Sequence, residues 1–314
     1  MISRKISIYG ATLLVTLLST QFATANVSTQ VMPAQKSLVI IDSGINTDLP
    51  WAKNAVVDEA CFVELHRCPN GFSQMIGAGA SKMTPAMTTA GSLSHGTQMA
   101  SVAVAVDPNV KIVSIRITGM TPKGVPTPYS AKAISWALDY VEANKARLNV
   151  GAVSISLGNS YKSTSCPIVG NLQKQITNLM ASGVAVAVSV GNGGSTKIDY
   201  PACIPEAISV GATEERYAMR EVSGWVYPIM AISNHNSEVD YFVNGKYTVS
   251  DISDNKKVSF GTSNSTVAFA TYLTKRLSAG ENLAAVMASV NAALVKAYKT
   301  TTLFYPKQFN LSNP

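Results

Sequence analysis

Three short segments carry an acid, a base and a hydroxyl in a fixed order. Asp42 stands in Ile40-Ile41-Asp42-Ser43-Gly44, His95 in Ser94-His95-Gly96-Thr97, and Ser263 in Phe260-Gly261-Thr262-Ser263. A carboxylate orients an imidazole, the imidazole takes a proton, and the hydroxyl it activates attacks an acyl carbon; these are the parts of a serine nucleophile. The chain order Asp, His, Ser is one of the few arrangements that builds them into a site.

Each residue taken alone has an ordinary reading as well. Asp-Ser-Gly is common turn chemistry, although an acid that ends an apolar run sits where functional groups collect in open α/β sheets. The chain has only three histidines, which leaves few bases near neutral pH. The run Met99 to Val104 after His95 is small and apolar, as in a buried helix whose first turn holds the imidazole. Ser263 opens the segment Val267-Ala268-Phe269-Ala270, and a serine at a helix start is most often a cap. The same place offers backbone N–H groups to a developing oxyanion. Ser265 and Thr266 are alternative capping hydroxyls. A fourth residue is independent of these: Asn192, in Ser189-Val190-Gly191-Asn192-Gly193-Gly194, ends the most hydrophobic run of the chain. Its amide can donate to an oxyanion, or it can serve only in a Gly-rich turn.

The elements that must position these groups alternate. Strand-like apolar runs are read at Ser37 to Ile41, Val110 to Ile117, Ala152 to Leu157, after Gly183, and from Ala207 to Gly211. Helical spacing is read over Ser130 to Leu148 and Asn171 to Ala181, after Ser263, and from about Glu281 to Tyr298. Continuous apolar strands between helices predict a parallel sheet covered on both faces. Residues 214–260 are more polar and read as hairpins or loops, and residues 300–314 show no period. No linker or repeat divides the chain, so one domain is expected.

Hydrophobic residues make up 46 % and charged residues 14 % of the 314, which is a globular composition able to bury a large core. The formal charge is +7, but the basic residues are scattered, so neither nucleic acid nor a membrane surface is an expected partner. Arg4 and Lys5, the apolar stretch Ile8 to Leu18 and Ala23-Thr24-Ala25 read as a signal peptide over 1–25. The stretch is short for a membrane span; an uncleaved anchor is the alternative. Export permits disulfides among Cys61, Cys68, Cys166 and Cys203. Sequence proximity makes Cys61–Cys68 with Cys166–Cys203 the simplest of three connectivities. A metal site at Cys61, His66 and Cys68 is the rival, but the spacing fits zinc poorly.

Taken together, these motifs resemble the subtilisin-like serine proteases. In that family the acid lies in Asp-Ser/Thr-Gly, the base in His-Gly-Thr, the nucleophile in Gly-Thr-Ser, and an oxyanion asparagine follows a strand in Gly-Asn. The resemblance assigns these roles to Asp42, His95, Ser263 and Asn192. It also makes Ser156-Leu157-Gly158 the strand that lines the primary specificity pocket, and it extends to Tyr200-Pro201, Ile208 to Ala212 and Ile232-Ser233-Asn234. The implied fold is a three-layer α/β sandwich with a mostly parallel central sheet and helices on both faces. Residues 26–314 would form a single peptidase domain with no recognisable pro-domain. The chain departs from the family where Asn264-Ser265-Thr266-Val267 replaces Met-Ala-x-Pro, and in the insertion that carries Cys61 and Cys68.

The implied function is exported, periplasmic or secreted, endopeptidase activity on a protein or peptide substrate. It would be carried out by a monomer without cofactor or bound metal, and with no stable membrane insertion after signal cleavage. Substrate would lie extended along Ser156–Gly158 and the Gly119–Tyr129 loop. Relatives often bind calcium, but no acidic loop here makes a good calcium site. The runner-up is a pseudoprotease of the same fold that binds peptides or a partner protein. An α/β esterase would need a Gly-x-Ser-x-Gly elbow and a different residue order.

Overall fold

The computed structural model describes residues 34–293 and 308–309, except 65–66, 88–90, 122, 124, 126, 164, 215–218, 222–223 and 227–228. The expected leader and its cleavage site lie outside the described residues. The first half runs β1 (Ser37–Asp42), α1 (Pro50–Ala55), β2 (Val56–Phe62), β3 (Gln74–Ile76), α2 (His95–Val106), β4 (Lys111–Arg116), α3 (Ala131–Asn144) and β5 (Val150–Ile155). It continues with α4 (Leu172–Ala181), β6 (Ala185–Ser189), β7 (Ile208–Thr213), β8 (Met219–Glu221), β9 (Gly224–Val226) and β10 (Tyr241–Asn244). The last part is β11 (Lys246–Ser250), β12 (Lys256–Phe260), α5 (Thr262–Ser278), α6 (Leu283–Ala293) and β13 (Gln308–Phe309).

Nine strands form one sheet in the order β13-β10-β7-β6-β5-β1-β4-β2-β3. Every neighbour pair is parallel except β2 with β3. Strand β1 lies between β4 and β5, so the chain reverses its direction of advance there. The crevice beyond the C-terminal ends of these strands is the switch point where α/β sheets place their sites.

Side chains alternate across the sheet, as strand geometry requires. Val39, Ile41, Val153, Ile155, Val186 and Val188 join the core under α3 and α4. Leu38, Ile40, Ala152, Ala185 and Ala187 face the core containing α2, α5 and α6. The alanines on this second face leave room for α5, which is buried on nearly every side. Such a helix must satisfy its own polar groups. The hydroxyls of Thr266, Thr271 and Thr274 do so by donating to the carbonyls four residues earlier, at 2.7, 2.7 and 2.8 Å.

The expected α/β sandwich is therefore present, with local differences, among them α1, β2 and β3, which lie in the insertion between Asp42 and His95 where no element was expected. Helix α3, capped by the Ser130 hydroxyl accepting from Ala133 N–H at 3.1 Å, ends at Asn144, and β5 begins at Val150 rather than Ala152. Region 214–260 contains hairpins β8–β9 and β11–β12, but it also supplies β10 to the central sheet. Strand β10 has only four residues beside polar Asp240, too few to show a period, although Phe242 and Val243 are fully buried. Strand β13 extends the same edge from the aperiodic C-terminal region. Helix α6 runs from Leu283 to Ala293, and its expected continuation to Tyr298 lies outside the described residues. Both simple disulfides are formed, Cys61–Cys68 and Cys166–Cys203. His66, the third member of the alternative metal cluster, lies outside the described residues.

Candidate active site

Asp42 is the last residue of β1 and His95 the first of α2, and local backbone chemistry brings them together. Asp42 is buried, and its carboxylate holds His95 Nδ1 with both oxygens at 2.9 Å. One of those oxygens also accepts the Ser43 N–H at 2.7 Å. The Ser43 hydroxyl accepts from Gly96 N–H at 2.9 Å and donates to Leu93 O at 3.2 Å. It thereby ties the end of β1 to the first turn of α2. In the sequence Ser43 reads only as part of a turn; its hydroxyl within Asp-Ser-Gly is the available signal.

Two glycines set how closely the strand and helix approach. A Cβ on Gly96 would lie 2.3 Å from Gly44 O, and one on Gly44, whose φ is +96°, would lie 2.3 Å from Ser81 O. Any side chain there pushes backbone against backbone, so these positions fix the spacing between acid and base.

The imidazole is about 30 % exposed. Partial burial opposes its protonation, but the charge of Asp42 and the hydrogen bond to it together outweigh that effect, so its pKa is raised above 6.5. With Nδ1 held by the acid, Nε2 is the nitrogen available for proton transfer. His95 and Asp42 border a cleft of about 620 Å³ with Ser43, Leu93, Gln98, Thr118, Thr127, Pro128, Tyr129, Leu157 and Lys257. The Tyr129 hydroxyl donates to Gly158 O and joins the 119–129 loop to the Ser156–Gly158 segment. Burial pushes the Tyr129 phenol up to about 12.

Ser263 is the second residue of α5. Among the hydroxyls of that first turn it is the partly exposed one, whereas Thr262, Ser265 and Thr266 are buried. Ser265 donates to Val243 O at 2.9 Å and Thr266 to Thr262 O at 2.7 Å, so neither faces the cleft as a free group. The departure from the family motif is accommodated in the same way. Asn264 Nδ2 donates to Gly245 O at 3.0 Å, so a buried polar residue replaces an apolar one with its amide satisfied. Ser263 Oγ donates to Ser156 O at 3.1 Å and makes no hydrogen bond to His95. The structure thus joins Asp42 to His95, and it joins Ser263 to the Ser156–Gly158 segment.

Asn192 follows β6 across Gly191, whose φ is +102°. Its Oδ1 accepts from Thr262 N–H at 3.0 Å and Thr262 Oγ1 at 3.2 Å. A backbone N–H can only donate, so the oxygen must face Thr262 and Nδ2 is left to donate elsewhere. The amide rests on Gly261, where a Cβ would come within 3.1 Å of Asn192 Oδ1. Helix geometry leaves the Ser263 N–H without an intrahelical acceptor. The Asn192 loop has its own brace in buried Asn234. Asn234 accepts from Gly193 N–H at 2.9 Å and Ser195 N–H at 3.0 Å, and it donates to Val190 O at 2.9 Å. In the sequence Asn234 has no evident role, because 42 residues separate it from Asn192.

Among the described residues, no group of three or more His, Cys, Asp or Glu side chains is placed to hold a metal ion, and no helix is long and apolar enough to cross a membrane.

The chain is similar to known proteins to different extents. Thermitase of Thermoactinomyces vulgaris is 26 % identical over 190 residues, which is 57 % of this chain and 55 % of that protein. Subtilisin Savinase of Lederbergia lenta is 25 % identical over 149 residues, 45 % of this chain and 50 % of that protein. Alkaline elastase YaB of Bacillus sp. (strain YaB) is 27 % identical over 130 residues, 38 % of this chain and 30 % of that protein. The chain therefore spans between about a third and about half of the length of these relatives. Among solved structures, a lanthipeptide protease superposes with a TM-score of 0.65 at 18 % identity, over 88 % of this chain and 87 % of that one. A cold-adapted subtilisin-like serine proteinase does so at 0.60 and 19 %, over 87 % of both chains. At such identities the superpositions establish the fold. The sequence model of the subtilase family matches residues 35–307, nearly the whole described chain, and the protein belongs to that family.

Proposed function

We propose that the chain is an exported serine endopeptidase, and that Asp42, His95, Ser263 and Asn192 carry the reaction. The observation that bears most weight is the Asp42–His95 pair. A buried carboxylate fixes Nδ1 at 2.9 Å and leaves Nε2 free beside a cleft. In the reaction, Ser263 Oγ attacks the scissile carbonyl carbon while His95 Nε2 takes the hydroxyl proton. The tetrahedral oxyanion is held by Asn192 Nδ2 and the Ser263 N–H. The C–N bond then breaks, His95 returns the proton to the leaving amine, and water hydrolyses the acyl-enzyme by the same steps. The peptide lies extended between Ser156–Gly158 and the 119–129 loop. Two disulfides favour an oxidising compartment such as the periplasm or the exterior. A monomer with no cofactor suffices for this chemistry.

One observation favours a second reading, a peptide-binding pseudoprotease. The Ser263 hydroxyl is bonded to Ser156 O and not to His95. A fluorophosphonate probe separates the two. The peptidase labels covalently, and Ser263→Ala abolishes the label. Folded protein that takes up no label would refute the catalytic reading.

A further inference from the structure

Among the described residues, the carboxylate of Asp199 has no partner. Its side chain makes no hydrogen bond or ion pair with any of them, although Asp199 is not an exposed residue. Burial raises its pKa. The nearest cation in sequence, Lys197, turns away. Its ammonium donates to Tyr161 O and Ser163 O at 2.5 and 2.6 Å and lies 4.0 Å from the centre of the Tyr161 ring. A half-buried carboxylate without a partner costs stability, so a fold that retains one leaves it available for something it binds.

Its position says what that is. The Asp199 N–H donates to Val190 O at 2.8 Å, and Tyr200 exchanges backbone hydrogen bonds with Asn159 at 2.8 and 3.0 Å. This pins the carboxylate between the ends of β5 and β6. It occupies room left by two glycines. A Cβ on Gly191 would lie 2.2 Å from Asp199 Oδ2, and one on Gly158 would lie 3.2 Å from Asp199 Cβ. Gly158 ends the Ser156–Gly158 segment, and Gly191 precedes Asn192. Tyr129, which bonds Gly158 O and borders the cleft with Asp42 and His95, is close enough to feel the charge of Asp199 as well as that of Asp42, so the carboxylate belongs to the same region of the molecule.

We propose that Asp199 is a specificity-determining residue that selects substrates with lysine or arginine on the acyl side of the scissile bond. This rests on the peptidase reading above. A residue whose carbonyl sits at Ser263 and Asn192 sends its side chain between the ends of β5 and β6. From Ser156, which is bonded to Ser263, two residues of strand lead to Gly158, a rise of about 7 Å. A lysine or arginine stem spans such a depth and brings its cation to the carboxylate, with arginine able to pair in bidentate fashion. The glycines make the room that the carboxylate fills, and the ligand supplies the counter-charge that it lacks among the described residues.

The test has two arms. In the first, kcat/KM is measured on matched peptide p-nitroanilides with Lys, Arg, Leu or Phe at the cleaved position. The expected result is a preference of at least tenfold for Lys and Arg over Leu and Phe, with the Lys-to-Leu ratio falling at least tenfold in Asp199→Asn. A preference for Leu or Phe, or a ratio unmoved in folded Asp199→Asn, overturns the proposal while leaving the peptidase reading intact. The second arm needs no turnover: p-aminobenzamidine, a fluorescent aryl amidinium, is titrated into Ser263→Ala. Saturable binding that weakens at least tenfold in Ser263→Ala/Asp199→Asn supports the cation site even if no peptide is cut. Absence of binding, or binding indifferent to Asp199, overturns it.

Discussion

Ser156 and Ser263 hold each other by reciprocal hydrogen bonds. Ser263 Oγ donates to Ser156 O at 3.1 Å, and Ser156 Oγ donates to Ser263 O at 3.0 Å. The first of these bonds parks the proposed nucleophile away from His95. The second fixes the backbone of the first turn of α5 against the end of β5. A hydroxyl bond of this kind contributes about 1 kcal/mol, so a rotation of Ser263 toward the imidazole is inexpensive once substrate displaces it.

Of the two reciprocal bonds, Ser156→Ala removes only the second, because the acceptor for Ser263 Oγ is a backbone carbonyl; it also removes the 3.4 Å contact between the Ser156 and Ser154 hydroxyls. Stability should fall by about 1 kcal/mol, read as a lower midpoint of urea unfolding. Fluorophosphonate labelling of Ser263 should persist. Loss of labelling in a folded Ser156→Ala protein would mean that the Ser156 hydroxyl does more than hold α5.

Asn192→Asp separates the two ends of this side chain. A carboxylate oxygen still accepts from Thr262 N–H, which now donates to Oδ1 at 3.0 Å, but the Nδ2 donor is gone. With one oxyanion donor removed, kcat should fall by about 10²–10³, the loss seen for such a donor in subtilisin. KM and the thermal midpoint should change little. Steady-state kinetics and a melting curve decide it, and an unchanged kcat would remove Asn192 from the oxyanion site.

The acid limb of activity should follow His95. The base must be neutral, and its pKa lies above 6.5 because the charge and hydrogen bond of Asp42 outweigh burial. The pH profile of kcat/KM should therefore rise with a midpoint above 6.5. In Asp42→Asn burial acts unopposed, so the midpoint should move below 6.5, and kcat should drop by about 10⁴. Stability runs the other way. A raised folded pKa means that protonated His95 favours the native state; its contribution is complete below the unfolded value and fades as pH rises through the folded one.

The two disulfides should differ in their effect on stability. Their sequence separations are 7 and 37 residues. Loop-closure entropy then assigns about 2.4 kcal/mol to Cys61–Cys68 and about 3.8 kcal/mol to Cys166–Cys203. Paired Cys→Ala variants compared by guanidinium unfolding would show the larger loss for Cys166–Cys203, and the reverse order would contradict the entropic account.

Local rules made much of the scaffold legible. Apolar runs buried on both faces give β1, β4, β5 and β6 continuous patterns that only a covered parallel sheet explains. His95 opens its helix as expected, because the small residues after it suit a buried helix. Strands β3, β10 and β13 escaped because two to four residues carry no period, and β2 escaped because Asp58 and Glu59 interrupt its apolar run; all four owe their conformation to pairing with a neighbouring strand.

By itself, the sequence determined the layered α/β architecture, the identity and order of Asp42, His95, Ser263 and Asn192, and the simplest pairing of the cysteines. Those follow from periodicity, motif and proximity along the chain. The tertiary structure alone decided the relations between segments far apart in sequence. It shows Ser43 bracing α2, Asn234 holding the Asn192 loop, Ser263 turned toward Ser156, and Asp199 set between two glycines with no partner among the described residues. Hydrogen-bond partners and buried charges are fixed by distances of about 3 Å, and residues separated by tens of positions reach such distances only once the sheet and helices have packed. For that reason the motifs are legible along the chain, whereas the contacts between them, such as Ser263 with Ser156, are legible only in the packed structure.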